Sequence, residues 1–358
     1  MKNSIELIKK LSLAFGPSGM EDEVRAIINE EIKGYASDIK SDALGNLIAY
    51  FPSECENAPT LMISAHMDEV GFMITHIEDC GMLRFSEIGG FSEAVLPSRR
   101  VTVFGHDKKM INGVIASKPI HLQSKDERES PTPINELYID IGASSKEEAQ
   151  ALVGIGDCCV FYSEFVQFGD GGNRIKCKAL DDRMGCAILI EVLRRIANEK
   201  LSPKCNLAFC FTTREETGLS GAMVAAQTVK PDNAIILETT AVADLPDVEE
   251  KNSVAYLGKG GALSILDRST IYDREFFNFA SSYKDEIPVQ IKQYVSGGND
   301  ASHIKKAGDG CRVIALSAPT RYLHSSSCVL DITDCDAMEE LVYRIIRDFE
   351  NYEREASR

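Results

Sequence analysis

The sequence has no tryptophan among its 358 residues, and several other absences narrow its function. No apolar run approaches the roughly 18 residues needed to cross a bilayer as a helix, so a helical membrane protein is excluded. The opening Met1-Lys-Asn-Ser-Ile-Glu-Leu lacks a signal-peptide apolar core, and the cytoplasm is the expected location. Positive charge is in deficit: 39 Lys and Arg stand against 55 Asp and Glu, a formal net charge of −16. Nucleic-acid binding needs a basic face, so that partner class is excluded. The eleven cysteines are odd in number and follow no framework spacing. Cys158-Cys159 is an adjacent pair, not a C-x-x-C redox or zinc motif. The thiols are expected to be reduced and largely buried. No internal repeat or low-complexity tract is present.

What remains is a chain with two textures. Up to about residue 70, and again from about 171, buried strands alternate with helices. The N-terminal residues predict a helix capped by Ser4 and carrying Ile5, Ile8 and Leu11, ended by Gly16-Pro17. Ser18-Gly-Met-Glu21 reads as a capping box for a second helix bearing Val24, Ile28 and Ile32. Strands are expected at Leu47–Phe51 and Leu61–Ala65, later at Asn206–Phe211, Ala234–Leu237 and Arg312–Leu316, and a final helix over about Asp334–Tyr352. Between about 71 and 170 the apolar segments are short and punctuated by Gly81, Gly89-Gly90, Gly105 and Gly113. Strands at Phe72–Ile77, Leu83–Phe85, Arg100–Phe104, Met110–Ile115, Leu137–Ile141 and Cys159–Tyr162 suit a small barrel or sandwich. The polar run His121–Pro133 reads as a long loop. The expected architecture is a doubly wound α/β domain with a mixed sheet, formed by residues 1–70 and 171–358, interrupted by a β-barrel domain over 71–170.

The chemistry concentrates where apolar runs stop. Leu61-Met-Ile-Ser-Ala is followed at once by His66 and Asp68. Strand carboxyl ends are where open α/β sheets bind ligands. A neutral imidazole with a carboxylate two residues on can supply a metal ligand and its orienter. Ala179-Leu-Asp181-Asp182 precedes a strongly apolar helix; one Asp suffices as an N-cap, and two exceed that need. Phe211 leads into Glu215 and Glu216, whose side chains point in different directions. One can therefore bind metal while the other serves as a general base. Ile235-Ile-Leu237 stops at Glu238, and Ala318-Pro-Thr-Arg-Tyr-Leu leads to His324. Each feature has an ordinary structural explanation taken singly. Together, two histidines and three carboxylates with a spare Glu form the donor inventory of a dinuclear hydrolytic zinc or cobalt site. His76, His106, His121 and His303 read as structural or peripheral.

These residues belong to longer motifs: Ser64-Ala-His66-Met-Asp68-Glu-Val-Gly71, Ala179-Leu-Asp181-Asp182-Arg183, Glu215-Glu216-Thr-Gly-Leu-Ser-Gly-Ala222, Leu257-Gly-Lys-Gly260, Asp267-Arg268, Gly297-Gly-Asn-Asp300 and Arg321-Tyr-Leu-His324-Ser325. Nearly end to end, the chain resembles the TET-type aminopeptidases, with their deblocking and glutamyl members, of the co-catalytic metallopeptidase clan MH. The resemblance implies that His66, Asp181 and Glu238 hold one metal, and Asp181, Glu216 and His324 the other. It makes Glu215 the general base and then general acid, acting on a water activated by two divalent ions, zinc or cobalt. Asp68 would orient His66. It also implies a cis peptide at Asp181-Asp182, peptide substrates, a zinc-peptidase fold of the phosphorylase/hydrolase type, and an inserted domain that dimerises on the way to tetrahedral dodecamers. Relatives more often carry Asp at the position of Glu238. Two rival readings are an endoglucanase-like glycoside hydrolase, which needs two facing carboxylates, and a non-catalytic assembly protein.

Overall fold

The computed structural model describes residues 2–292 and 297–356. Seventeen strands occur among them. β1 (Asp38–Ser41), β2 (Leu47–Phe51) and β3 (Thr60–His66) precede six barrel strands: β4 (Gly71–Ile77), β5 (Leu83–Ile88), β6 (Arg100–Phe104), β7 (Met110–Ala116), β8 (Tyr138–Asp140) and β9 (Cys158–Phe161). There follow β10 (Val166–Phe168), β11 (Arg174–Cys177), β12 (Asn206–Thr212), β13 (Asn233–Ala241), β14 (Gly261–Leu263), β15 (Val289–Ile291), β16 (Arg312–Arg321) and β17 (Cys328–Asp331).

Eleven strands form one mixed sheet in the order β1-β2-β12-β3-β13-β16-β17-β11-β10, with β14 and β15 branching from β16. Its centre is parallel: β3 lies between β12 and β13, and β13 continues in parallel register with β16. Leu61 to Ala65 are buried on both faces, which explains their unbroken apolar run. The helix Leu180–Glu199 packs across β3 and β13 and is buried nearly all round from Leu180 to Leu193. That is why its sequence shows little amphipathic contrast. The barrel closes in the order β4-β5-β8-β7-β6-β9 around Phe72, Phe85 and Phe161. It leaves the sheet five residues after His66, at Gly71. β10 already pairs within the large sheet.

Four local expectations are corrected. Ser4 lies inside the first helix, Lys2–Leu13, and does not precede it. Ser18 does not cap the second helix, Asp22–Ile32; Glu21 occupies the cap position without a side-chain cap bond. The run His121–Pro133 holds a one-turn helix, Lys125–Glu129, closed by a capping box between Ser124 and Glu127. The C-terminal helix is two: Ile332–Arg347, capped by the Asp331 side chain, then Phe349–Ala356 after a break at Asp348. No helix among the described residues is long and apolar enough to cross a membrane.

Candidate metal centre

The parallel order β12-β3-β13-β16 carries every functional strand end to one edge of the sheet. His66 is the last residue of β3, opposite Thr212 of β12. Glu215 and Glu216 follow β12 after one turn. His324 lies just beyond β16 in a left-handed backbone conformation, φ 55°. Asp181 stands in the non-helical first turn of Leu180–Glu199, and the Asp181-Asp182 peptide is cis, as the resemblance implies. Glu238 departs from the sequence reading. It sits inside β13, not at its end, because the pairing with β16 runs on past the apolar stretch to Ala241.

The structure gathers all the expected ligands. His66, Asp181 and Glu238 present donor atoms within 4.8 Å of one another, and so do Asp181, Glu216 and His324. Asp181 is common to both groups. Its Oδ1 lies 3.4 Å from His66 Nε2, and its Oδ2 lies 3.2 Å from His324 Nε2. Glu238 Oε1 is 3.5 Å from His66 Nε2, and Glu216 Oε1 is 3.2 Å from His324 Nε2. Asp182, by contrast, has the ordinary role: its Oδ1 accepts the Gly185 N–H at 3.1 Å, as a helix cap does.

Both imidazoles are held from behind. Nδ1 of His66 lies 3.1 Å from the Asp68 carbonyl oxygen and 3.4 Å from Asp68 Oδ1. Nδ1 of His324 lies 2.5 Å from the carbonyl of Gly90, in the segment after β5. With each Nδ1–H donating backward, each Nε2 faces the acidic cluster and is the nitrogen left for a metal once its proton is released. Asp181 Oδ1 is buried with no hydrogen-bond donor among the described residues. A buried carboxylate oxygen without a donor is costly, and a cation between the two histidines satisfies it. The residues therefore fit a pair of divalent ions.

The electrostatics show the same strain. Burial works against protonation of His66, but the close Asp181 and Asp68 carboxylates and the Glu238 charge outweigh it and raise the pKa. His324 is pushed up to about 11 in the same way, against burial, by Asp181 and Glu216. Burial pushes up the carboxyls of Glu215, Glu216 and Glu238. Burial would raise Asp181 too, yet its contacts with His324 and His66 win and lower it. Too many carboxylates share too little positive charge, and divalent ions would correct this.

Glu215 differs from its neighbour. Its backbone N–H is fixed to Asp68 Oδ1 at 3.0 Å, while its carboxylate lies beside His66 and Glu216. It borders a cavity of about 860 Å³ that also meets Asp181, Glu238, His324, Arg268 and Lys292. Asn299 and Ser302 line this cavity, but His303 does not.

Three groups were missed by the sequence reading. Ser18 Oγ donates to Asp68 Oδ2 at 2.5 Å. The Gly90 carbonyl orients His324 from the barrel side. Lys178, buried, binds Glu69 at 2.6 Å behind the site. The only sequence signal for the last was a lysine three residues before Asp181, between Cys177 and Ala179.

Comparison with known proteins agrees with this geometry. The sequence profile of the M42 glutamyl aminopeptidases matches residues 45–341. The chain is 31% identical to the lysyl aminopeptidase of Pyrococcus furiosus over 348 residues, 96% of each protein. Among solved structures, a TET aminopeptidase from a marine-sediment Thaumarchaeota archaeon superposes with a TM-score of 0.94 at 35% identity, covering 98% of both chains. The TET1 peptidase of Pyrococcus horikoshii, which assembles into a tetrahedron or a large octahedral shell, gives 0.84 at 36% identity, covering 96% of this chain and 99% of its own.

Proposed function

From the premise that the chain belongs to the M42 glutamyl aminopeptidase family, and so is a metal-dependent aminopeptidase, we propose that its clustered donors hold two divalent ions. His66, Asp181 and Glu238 hold one, and Asp181, Glu216 and His324 the other. The observation that carries this is Asp181, whose two oxygens face two different histidines. The donor set of imidazole and carboxylate suits zinc and cobalt alike.

The bound ions would supply Lewis acidity, polarising the scissile carbonyl and making water a better nucleophile at neutral pH. The chain's own residues do the rest. Glu215, held through its backbone by Asp68 and open to the cavity, takes the proton from the attacking water and returns it to the leaving amine. Asp68 fixes the His66 ring. The acidic cluster receives the free α-amine of the substrate, which restricts cleavage to N-terminal residues. The glycoside-hydrolase alternative is disfavoured because the carboxylates gather with two imidazoles in donor groups that suit a metal, and the family is one of aminopeptidases. The complete donor set argues equally against a non-catalytic assembly protein.

One feature of the cavity bears on substrate choice. Lys292 and Arg268 are cations on its wall; burial lowers the pKa of Lys292 against the opposing charges of Glu238 and Asp267. With Glu238 engaged by a metal ion, the half-buried Lys292 ammonium can donate to an acidic substrate group. Acidic N-terminal residues are therefore preferred to basic ones. Comparing Glu-, Leu- and Lys-anilides tests this. Lys292→Met should lower kcat/KM for the Glu substrate on the order of tenfold, one charged contact's worth, and leave the Leu substrate unchanged. Equal effects on both would refute the assignment. By the same family premise the chain forms a large homo-oligomer, a tetrahedral dodecamer built from dimers.

A further inference from the structure

The segment Ser18–Glu21, whose spacing promises a helix cap, makes no cap bond at all. Its polar groups go elsewhere. Ser18 Oγ donates to Asp68 Oδ2 at 2.5 Å across 50 residues of sequence. Glu21 Oε1 accepts the Gly19 N–H at 2.7 Å and the Arg214 N–H at 3.3 Å. Pro17 lies alongside Glu69 in a parallel bridge, and the Glu69 N–H donates to the Gly16 carbonyl at 3.0 Å. From the other side the segment is gripped by two buried cations. Arg183 Nη1 donates to Leu11 O at 2.7 Å and its Nη2 to Gly16 O at 3.0 Å, while Lys178 Nζ donates to Ala14 O at 3.0 Å. Residues 11–21 thus touch all three stretches that carry the site's first ligands: 66–69, 178–183 and 214–216.

Within this arrangement Asp68 is the hub. It is fully buried, and a buried carboxylate must be compensated on every oxygen. Oδ1 accepts the Glu215 N–H at 3.0 Å and faces His66 Nδ1 at 3.4 Å. Oδ2 accepts the Glu216 N–H at 3.1 Å and the Ser18 hydroxyl. A carboxylate that is free to rotate about its Cβ–Cγ bond cannot serve His66 and two peptide groups at once. Among the described residues, the Ser18 hydroxyl is the hydrogen-bond donor to Asp68 that comes from outside those two peptides and the His66 ring.

We propose that Ser18 is a positioning residue for the metal centre: by pinning Asp68 Oδ2 it sets the angle at which Asp68 holds the His66 ring and the Glu215-Glu216 backbone. It touches no ligand atom and no substrate. The proposal rests on the metallo-aminopeptidase reading of the site. Groups that orient a metal ligand from behind are worth on the order of 10- to 100-fold in metal affinity or activity. Ser18 acts one contact further out, so the lower end of that range applies.

The test uses the full-length protein with Ser18→Ala and Ser18→Thr. Zinc affinity is measured by competition with a chromogenic chelator, kcat and KM on a leucyl-anilide, and the melting temperature on the metal-free protein. The expected result for Ser18→Ala is zinc bound about tenfold more weakly, a fall in kcat with KM little changed, and a melting temperature close to wild type. Ser18→Thr, which keeps the hydroxyl, restores both affinity and kcat. Wild-type zinc affinity and kcat in Ser18→Ala overturn the proposal. So does equal loss in both variants accompanied by a lowered melting temperature of the metal-free protein, which marks a merely structural serine. If the wild type fails to cleave any anilide but Ser18→Ala still weakens zinc, the positioning role stands and the aminopeptidase reading falls.

Discussion

At the scale of single residues, the proposed ligands and the proposed base are separable by substitution. Glu215→Gln keeps the shape and the backbone bond to Asp68 but cannot carry a proton. Metal content should stay at the wild-type value while kcat falls by roughly 10²–10⁴, the usual worth of a positioned acid–base group; near-normal kcat would remove Glu215 from that role. His324→Ala should leave one metal equivalent of two. His324 also sets a pH dependence. In the metal-free protein Asp181 and Glu216 hold its pKa up to about 11, so at neutral pH a proton occupies the nitrogen that a metal must take. Binding releases that proton, and zinc affinity in the wild type should rise steadily from pH 6 to pH 8. A flat profile, or one falling with pH, would contradict the assignment. The proposed ligands stood out in the sequence because each follows the buried apolar run of a strand or opens a buried apolar helix. Ser18 did not, because Ser-x-x-Glu has a complete local meaning as a capping box, and nothing in the sequence shows that a carboxylate 50 residues away competes for the hydroxyl.

At the scale of elements, the site depends on how closely the helix Ser220–Val229 meets the turn after β12. Asn46 ties the two together: its Oδ1 accepts the Thr213 N–H at 2.9 Å and its Nδ2 donates to the Gly221 carbonyl at 2.9 Å. A Cβ on Gly221 would lie 2.0 Å from the Thr213 carbonyl oxygen. Backbone must therefore move two residues before Glu215. Gly221→Ala should cost roughly 1–3 kcal/mol in chemical denaturation, the range for overpacking, and lower activity by more than the loss of folded protein accounts for. Unchanged stability would contradict the packing described. Element types were readable wherever burial is two-sided or strictly alternating. The misses have local causes. The one-turn helix at Lys125–Glu129 is too short for a periodic apolar signal, and the break at Asp348 interrupts a pattern in which Phe349 and Tyr352 are still buried. Strand β13 outruns its apolar stretch because β16 pairs with it as far as Ala241, so Glu238 was read as a strand end.

At the scale of the whole molecule, the inserted barrel and the proposed metal site are one system. The Gly90 carbonyl, carried by the barrel, holds the His324 ring, and a Cβ on neighbouring Gly89 would lie 3.3 Å from Glu216 Cβ. Apolar groups are exposed on the barrel, among them Ile120 at 69% and Leu122 at 60% exposure, and burying them is one gain that assembly would bring. Light scattering should give a mass near twelve chains; a monomer at micromolar concentration would refute the assembly. Such a tie between barrel and site could not be read from the sequence, because it depends on a backbone carbonyl and not on any residue type. The central claim, that peptide hydrolysis depends on metal held by these residues, is tested most directly by stripping the protein with a chelator and reloading it with zinc, cobalt or manganese while following an aminoacyl-anilide. The stripped protein should be inactive and still folded, with activity returning as two equivalents of zinc or cobalt bind. Full activity in the stripped protein would contradict the account.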